Sequence, residues 1–137
     1  MTPLNQTTTS EFLQRFDSLN GGFLYDIAID LRRGTILLGL EAYDASLTEI
    51  DDPNLRWRRV EVAITGDIEF ALHESRQHPI VQADDCLEVL WLEGKVFFVF
   101  DPLQARDFDQ LEWSPGQVRR SRCFFGGEKA SWFPVPQ

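Results

Sequence analysis

The chain has 137 residues, 43% hydrophobic and 26% charged, enough for one domain that buries roughly two-thirds of its unfolded surface. Its 13 basic and 22 acidic side chains leave a net charge of −9, which disfavours nucleic acid and anionic membranes as partners. Two cysteines are too few for a disulfide framework, and no apolar run approaches the roughly 18 residues of a membrane span. The sequence therefore predicts a single cytoplasmic domain over 1–137, with Cys86 and Cys123 both reduced.

Residues 1–7 read as a loose, polar tail. Thr8 or Ser10 can cap a helix of about ten residues, since Phe12, Leu13, Phe16 and Leu19 recur at helical spacing and Glu11 can reach Arg15. Asn20-Gly21-Gly22 is a helix stop, because glycine tolerates the left-handed conformation that releases the last carbonyls.

An apolar hairpin follows from Phe23 to Tyr43, broken at Arg33-Gly34. Around a two-residue turn, Leu31 faces Ile36, Ile29 faces Leu38, Ile27 faces Leu40 and Tyr25 faces Ala42. The shared parity admits a four-residue turn as well. The opposite face, with Asp26, Asp30, Arg32, Leu37, Glu41 and Tyr43, is mixed and partly wet.

Residues 44–56 lose the alternation and form a long loop, which in a small domain is either functional or mobile. Asp44, Glu49, Asp51 and Asp52 sit there with no base before Arg56, and they are the candidate binding residues. The period of two returns from Trp57, through Val60, Val62 and Ile64 to Ile68, Phe70 and Leu72. Thr65-Gly66-Asp67 is either a hairpin loop, which would set Arg58 opposite Glu74, or a bend in one long strand.

After a polar loop from Ser75 to Asp85, a second hairpin turns at Glu93-Gly94. It pairs Trp91 with Val96, Val89 with Phe98 and Leu87 with Phe100. Phe97 to Phe100 is apolar on both faces, as in a strand covered on both sides. Phe108–Trp113 and Val118–Phe125 read as further strands around Ser114-Pro115-Gly116. Residues 126–137 read as an irregular tail, too rich in proline for a central strand. The sum is an α+β fold: an N-terminal helix packed on a mainly antiparallel, hairpin-built sheet of five to seven strands. Ile27, Ile29, Ile36, Leu38, Leu87, Val89, Phe98 and Phe100 are its expected core.

No motif points to catalysis. His73, His78, Cys86 and Cys123 lack the short spacing of a zinc site, and no serine or cysteine lies in a nucleophile motif. Asp84-Asp85 reads as a solvated turn, and no calcium loop is present. Gly21-Gly22 ends a helix instead of opening one, and Gly126-Gly127 also lacks a phosphate-binding context. Arg119, Arg120 and Arg122 read as a solvated edge strand. The sequence thus implies no catalytic residue, metal or cofactor.

The order of Phe16–Gly21, Trp57–Phe70 and Leu87–Phe100 resembles a group of small bacterial α+β proteins over roughly residues 10 to 101. Several of these are similar to immunity proteins of toxin systems. The resemblance implies a stable scaffold without an active site and supplies no catalytic residues. The leading expectation is a non-enzymatic protein-binding domain, immunity-like, whose acidic surface meets a basic protein partner. A small-ligand pocket between helix and sheet, in the manner of a cystatin-like curved sheet, is the alternative. A small carboxylate-dependent hydrolase or isomerase is the third.

Overall fold

A computed structural model describes residues 1–73, 87–100 and 113–136. The fold is α+β, with antiparallel strand pairing throughout the described residues. In place of one sheet, the nine strands among the described residues divide between two. The strands are β1 (Thr2–Leu4), β2 (Phe23–Asp30), β3 (Thr35–Tyr43), β4 (Trp57–Thr65), β5 (Glu69–Leu72), β6 (Glu88–Leu92), β7 (Lys95–Val99), β8 (Cys123–Gly127) and β9 (Lys129–Pro134). The larger sheet has the order β1-β9-β4-β3-β2, and the smaller one β5-β8-β7-β6.

Two chain segments pass from one sheet to the other. β4 runs into β5 through Gly66, whose φ of 82° is left-handed, and β8 runs into β9 at Glu128. The two corners are tied, because the Glu128 amide donates to the carbonyls of Thr65 and Gly66 at 3.0 and 2.9 Å. Thr65-Gly66-Asp67 is therefore a bend between sheets. The alternative of a β4–β5 hairpin fails, since β4 pairs with β3 and β9 while β5 pairs with β8. Arg58 lies opposite Ala42, and Glu74 falls outside the described residues.

Both hairpins keep the expected parity. The first closes with four residues, Leu31 to Gly34, so Ile29 faces Ile36 and Ile27 faces Leu38. A two-residue turn would have forced Arg33 into the left-handed region; only Gly34 enters it, at φ 65°. Tyr25 is an extra residue at a bulge between Leu24 and Asp26 and has no partner in Ala42. The second hairpin has the expected two-residue turn, with Glu93 and Gly94 both left-handed. Its ladder stops at Glu88 and Val99; the Leu87 amide donates instead to the Ser18 carbonyl at 2.7 Å.

The termini are more ordered than their composition suggests. Thr2–Leu4 pairs with β9, so the expected loose tail begins with a strand. β9 itself lies between β1 and β4, although the proline-rich tail was expected to be irregular. Its prolines do no harm, because Pro134 is the last strand residue and Pro136 lies beyond it.

Helix α1 (Thr8–Arg15) is shorter than expected; neither Thr8 nor Ser10 caps it, and its N-cap position, Thr7, makes no side-chain cap bond, so the amides at its start turn to Asn5. The Asn5 side chain accepts the Thr7 and Thr8 amides at 2.8 and 2.9 Å. Asp17, Ser18 and Leu19 then form a tight left-handed turn, with φ of 51°, 50° and 59°. Such backbone costs about 1–2 kcal/mol per residue, and the burial of Leu19 helps to offset it. A second short helix, α2 (Pro115–Arg119), replaces the strand expected from Val118. Ser114 and Gln117 cap each other in a reciprocal box that fixes its start.

The main core lies between the two sheets and under α1. Ile36, Leu38, Val62 and Ile64 from the large sheet meet Val89, Val96, Phe98 and Phe125 from the small one. Phe12, Phe16 and Trp132 pack ring to ring at 5.2–5.4 Å, joining α1 to β9. On the far side of the small sheet, α2 covers Phe97, Val99 and Phe124 with Val118. That second layer is why β7 is apolar on both faces. Of the expected core, Ile27 and Ile29 are only half-buried, because β2 is an edge strand.

Candidate functional site

The four candidate carboxylates do not form one patch. Asp44 is fully buried at the end of β3, while Glu49, Asp51 and Asp52 are exposed. Arg15 grips the Asp44 carboxylate with Nε and Nη2, each at 3.1 Å, and Arg58 Nη1 adds a third contact at 3.2 Å. The Ser46 amide and hydroxyl donate to it at 2.9 and 2.6 Å. Burial pushes the Asp44 carboxyl up, but the bonds from Arg15 and Ser46 outweigh it and hold the pKa at about 2. A carboxylate so saturated with donors is a structural hub and neither a general base nor a free surface charge. Asp44, expected among the loop acids, therefore lies inside the fold with its carboxylate already occupied.

The hub also anchors the loop. Arg15 turns to Asp44 and not to Glu11, and its guanidinium sits 5.1 and 5.2 Å from the ring centres of Phe16 and Trp132. The Ala45 amide donates to the Arg15 carbonyl at 2.9 Å, and the Asp44 amide to the Arg56 carbonyl at 2.8 Å. Arg56 Nε donates to the Ile50 carbonyl at 2.6 Å, closing the loop on itself. A 3₁₀ turn, Pro53–Leu55, is capped by the Asp52 side chain through the Asn54 amide. The loop is thus a built projection that carries Glu49, Asp51 and Asp52 outward, with Leu55 exposed beside them.

The outer face of the larger sheet carries a second surface feature. Register places Phe23 beside Glu41, Glu41 beside Arg59, Asp26 beside Gly39 and Leu37 between Ala28 and Ala63. Phe23, Tyr25 and Leu37 are 40%, 46% and 40% exposed, although all lie within strands of the larger sheet, Tyr25 at its bulge. Tyr25 is held in place: its ring lies over Gly39, where a Cβ would meet it at 2.8 Å, and Arg59 stacks on it at 5.0 Å. Two open depressions flank this band. One, of about 350 Å³, lies among Glu41, Trp57, Arg59 and Pro136; the other, of about 390 Å³, among Ala28, Leu37, Ala63 and Thr65. Asp26, Glu41 and Glu61 border the band with no ion-pair partner among the described residues. The sequence showed this face as mixed and wet but could not show that, among the described residues, no element packs over it.

The interior offers less room. The space among Phe12, Phe16, Leu19, Leu40, Val60 and Leu87, where α1 meets the sheets, does not admit a water molecule. Among the described residues, no three His, Cys, Asp or Glu gather into a metal-holding group, and no helix is long and apolar enough to cross a membrane. His73 is exposed after β5, and Cys123 is buried in β8. His78, Asp84, Asp85 and Cys86 lie outside the described residues, and with Cys86 goes the question of a Cys86–Cys123 bridge.

The arginine cluster is not an edge strand. Arg119 ends α2 and clasps Glu69 with two bonds at 2.7 and 3.1 Å, and Lys95 adds a third at 2.6 Å. These contacts, led by Arg119, lower the Glu69 pKa. Gly126 accommodates the Phe97 ring, which would lie 2.6 Å from a Cβ there, and Gly127 accommodates Ile64. Comparison of the chain with protein-family models, curated proteins and solved structures returned no match.

Proposed function

We propose that this chain is a non-enzymatic protein-binding domain, immunity-like in action, that captures a basic protein on the outer face of its five-stranded sheet. The observation that carries the reading is the exposed Phe23–Tyr25–Leu37 band, held on strands of the larger sheet and bordered by Asp26, Glu41 and Glu61, which have no ion-pair partner among the described residues. Aromatic side chains held in one rotamer lose little entropy on binding and make effective anchors. The acidic border and the net charge of −9 speed the encounter with a partner of opposite sign. The filled space beneath α1 favours surface recognition over a small-ligand pocket between helix and sheet. Asp44, held ionised and occupied by two arginines, lends no support to a carboxylate-dependent enzyme.

Affinity capture from the native host, with this domain as bait, is expected to enrich a basic protein. Changing Glu49→Gln, Asp51→Asn and Asp52→Asn together should slow its association several-fold at low salt and flatten the salt dependence. The three side chains are exposed and asparagine can still cap at 52, so thermal unfolding should not move. At physiological ionic strength, where screening acts over about 8 Å, the two rates should converge. An acidic partner, or a wild-type rate for the triple variant at low salt, would count against the reading.

A further inference from the structure

β2 is the outermost strand of the large sheet, and among the described residues no backbone bond is made along its free edge. Beyond the Tyr25 bulge, Asp26–Asp30 runs in unbroken register with β3. The two sides of this edge differ in chemistry. Asp26, Ala28 and Asp30 project on the outer face, while Ile27 and Ile29 lie half-buried on the inner one. Those isoleucines fall at core parity and pack against the core, yet remain partly exposed at the sheet edge.

Resting on the reading of a basic protein partner, we infer that the free edge of β2 takes an extended segment of that partner as an added strand. Its basic side chains lie on the outer face beside Asp26, and its apolar ones cover Ile27 and Ile29. An unpaired edge supplies backbone affinity, and alternation supplies the specificity. Asp30 contributes less, since its carboxylate already accepts the Arg33 amide at 3.0 Å and lies 3.8 Å from the Arg33 guanidinium. Asp26 has no such compensation and carries the selectivity for charge.

A second copy of this chain is a poor occupant of the same edge. Antiparallel self-pairing centred on Ala28 sets Asp26 against Asp30 of the other copy, twice, between molecules of charge −9. The same acids that repel a copy attract a basic strand.

Two blocked peptides of alternating lysine and valine test this, one with free amides and one N-methylated throughout. The first should bind and slow hydrogen exchange of the outward amides in 26–30 by roughly tenfold or more, and the second should not. Asp26→Lys, an exposed substitution, should abolish binding of the first without changing thermal unfolding. Equal binding of both peptides without protection of β2 would overturn strand addition and leave acid-driven capture of a basic protein standing. Binding of neither peptide, or concentration-dependent dimerisation protecting β2 in the peptide-free protein, would also overturn it. The parent reading fails by a different result, the capture of an acidic partner.

Discussion

Asp44→Ala is expected to destabilise the fold by about 3 kcal/mol, because it leaves Arg15 and Arg58 side by side without their shared carboxylate. The cost stays below that of a wholly buried pair because the two arginine side chains are 31% and 16% exposed and can find some water. The substitution also frees the Ser46 amide and hydroxyl and loosens the start of the loop at residues 44–56. Asp44→Asn keeps the shape but removes the charge, so it should lie between wild type and alanine. Chemical denaturation at neutral pH reads the order directly.

The same group sets an acid limit. The pKa of Asp44 in the fold, about 2, lies below its ordinary 3.8, so the unfolded chain binds the proton more tightly. Its contribution is therefore complete above about pH 4 and is lost as the pH falls towards 2. The stability gap between wild type and Asp44→Asn should close over that window. A gap that stayed constant from pH 7 to pH 2 would mean that the charge contributes nothing.

Phe98→Ala is expected to cost about 4 kcal/mol. Phe98 is fully buried between Val89 and Phe125 in one cross-strand row, facing the core shared by both sheets. Its cross-strand neighbours, Val89 and Phe125, are held in the same buried row, so truncation leaves a cavity that packing fills only in part. Phe70 ends the same row, opposite Phe125, but is 40% exposed at the sheet edge. Its truncation should cost about 1 kcal/mol. Denaturant midpoints for the two variants separate them, and similar losses at both positions would contradict the assignment of this row.

Alternation made the strands legible wherever one face is buried. Ile36, Leu38, Val89 and Phe98 sit in the core as their parity requires. What parity could not tell was the partner. Thr65-Gly66-Asp67 preserves it whether the chain reverses or bends, and the two are distinguished only by long-range partners: β4 pairs with β3 and β9, β5 pairs with β8, and the Glu128 amide ties the bend. β9 was hidden by prolines that lie at its end and beyond it. The Ser114–Gln117 capping box was legible, but Pro115 and Gly116 read more readily as a turn.

The site divides in the same way. Glu49, Asp51 and Asp52 project from the loop as local sequence suggests. Asp44 does not, because its bases come from Arg15, 29 positions earlier, and from Arg58, on the strand after the loop. No local pattern encodes that contact. The exposed band of Phe23, Tyr25 and Leu37 was readable as residues but not as a surface, since its exposure depends on which sheet face remains uncovered.

The most direct test of recognition by that band is the affinity of the captured basic partner for wild type and for a Tyr25→Ala, Leu37→Lys double variant. Calorimetry would give both constants, and thermal unfolding would show that the two exposed substitutions leave the fold intact. Loss of two anchors is expected to weaken binding by roughly a hundredfold, about 2.8 kcal/mol. Wild-type affinity in a folded double variant would contradict the account, because the partner would then be held elsewhere.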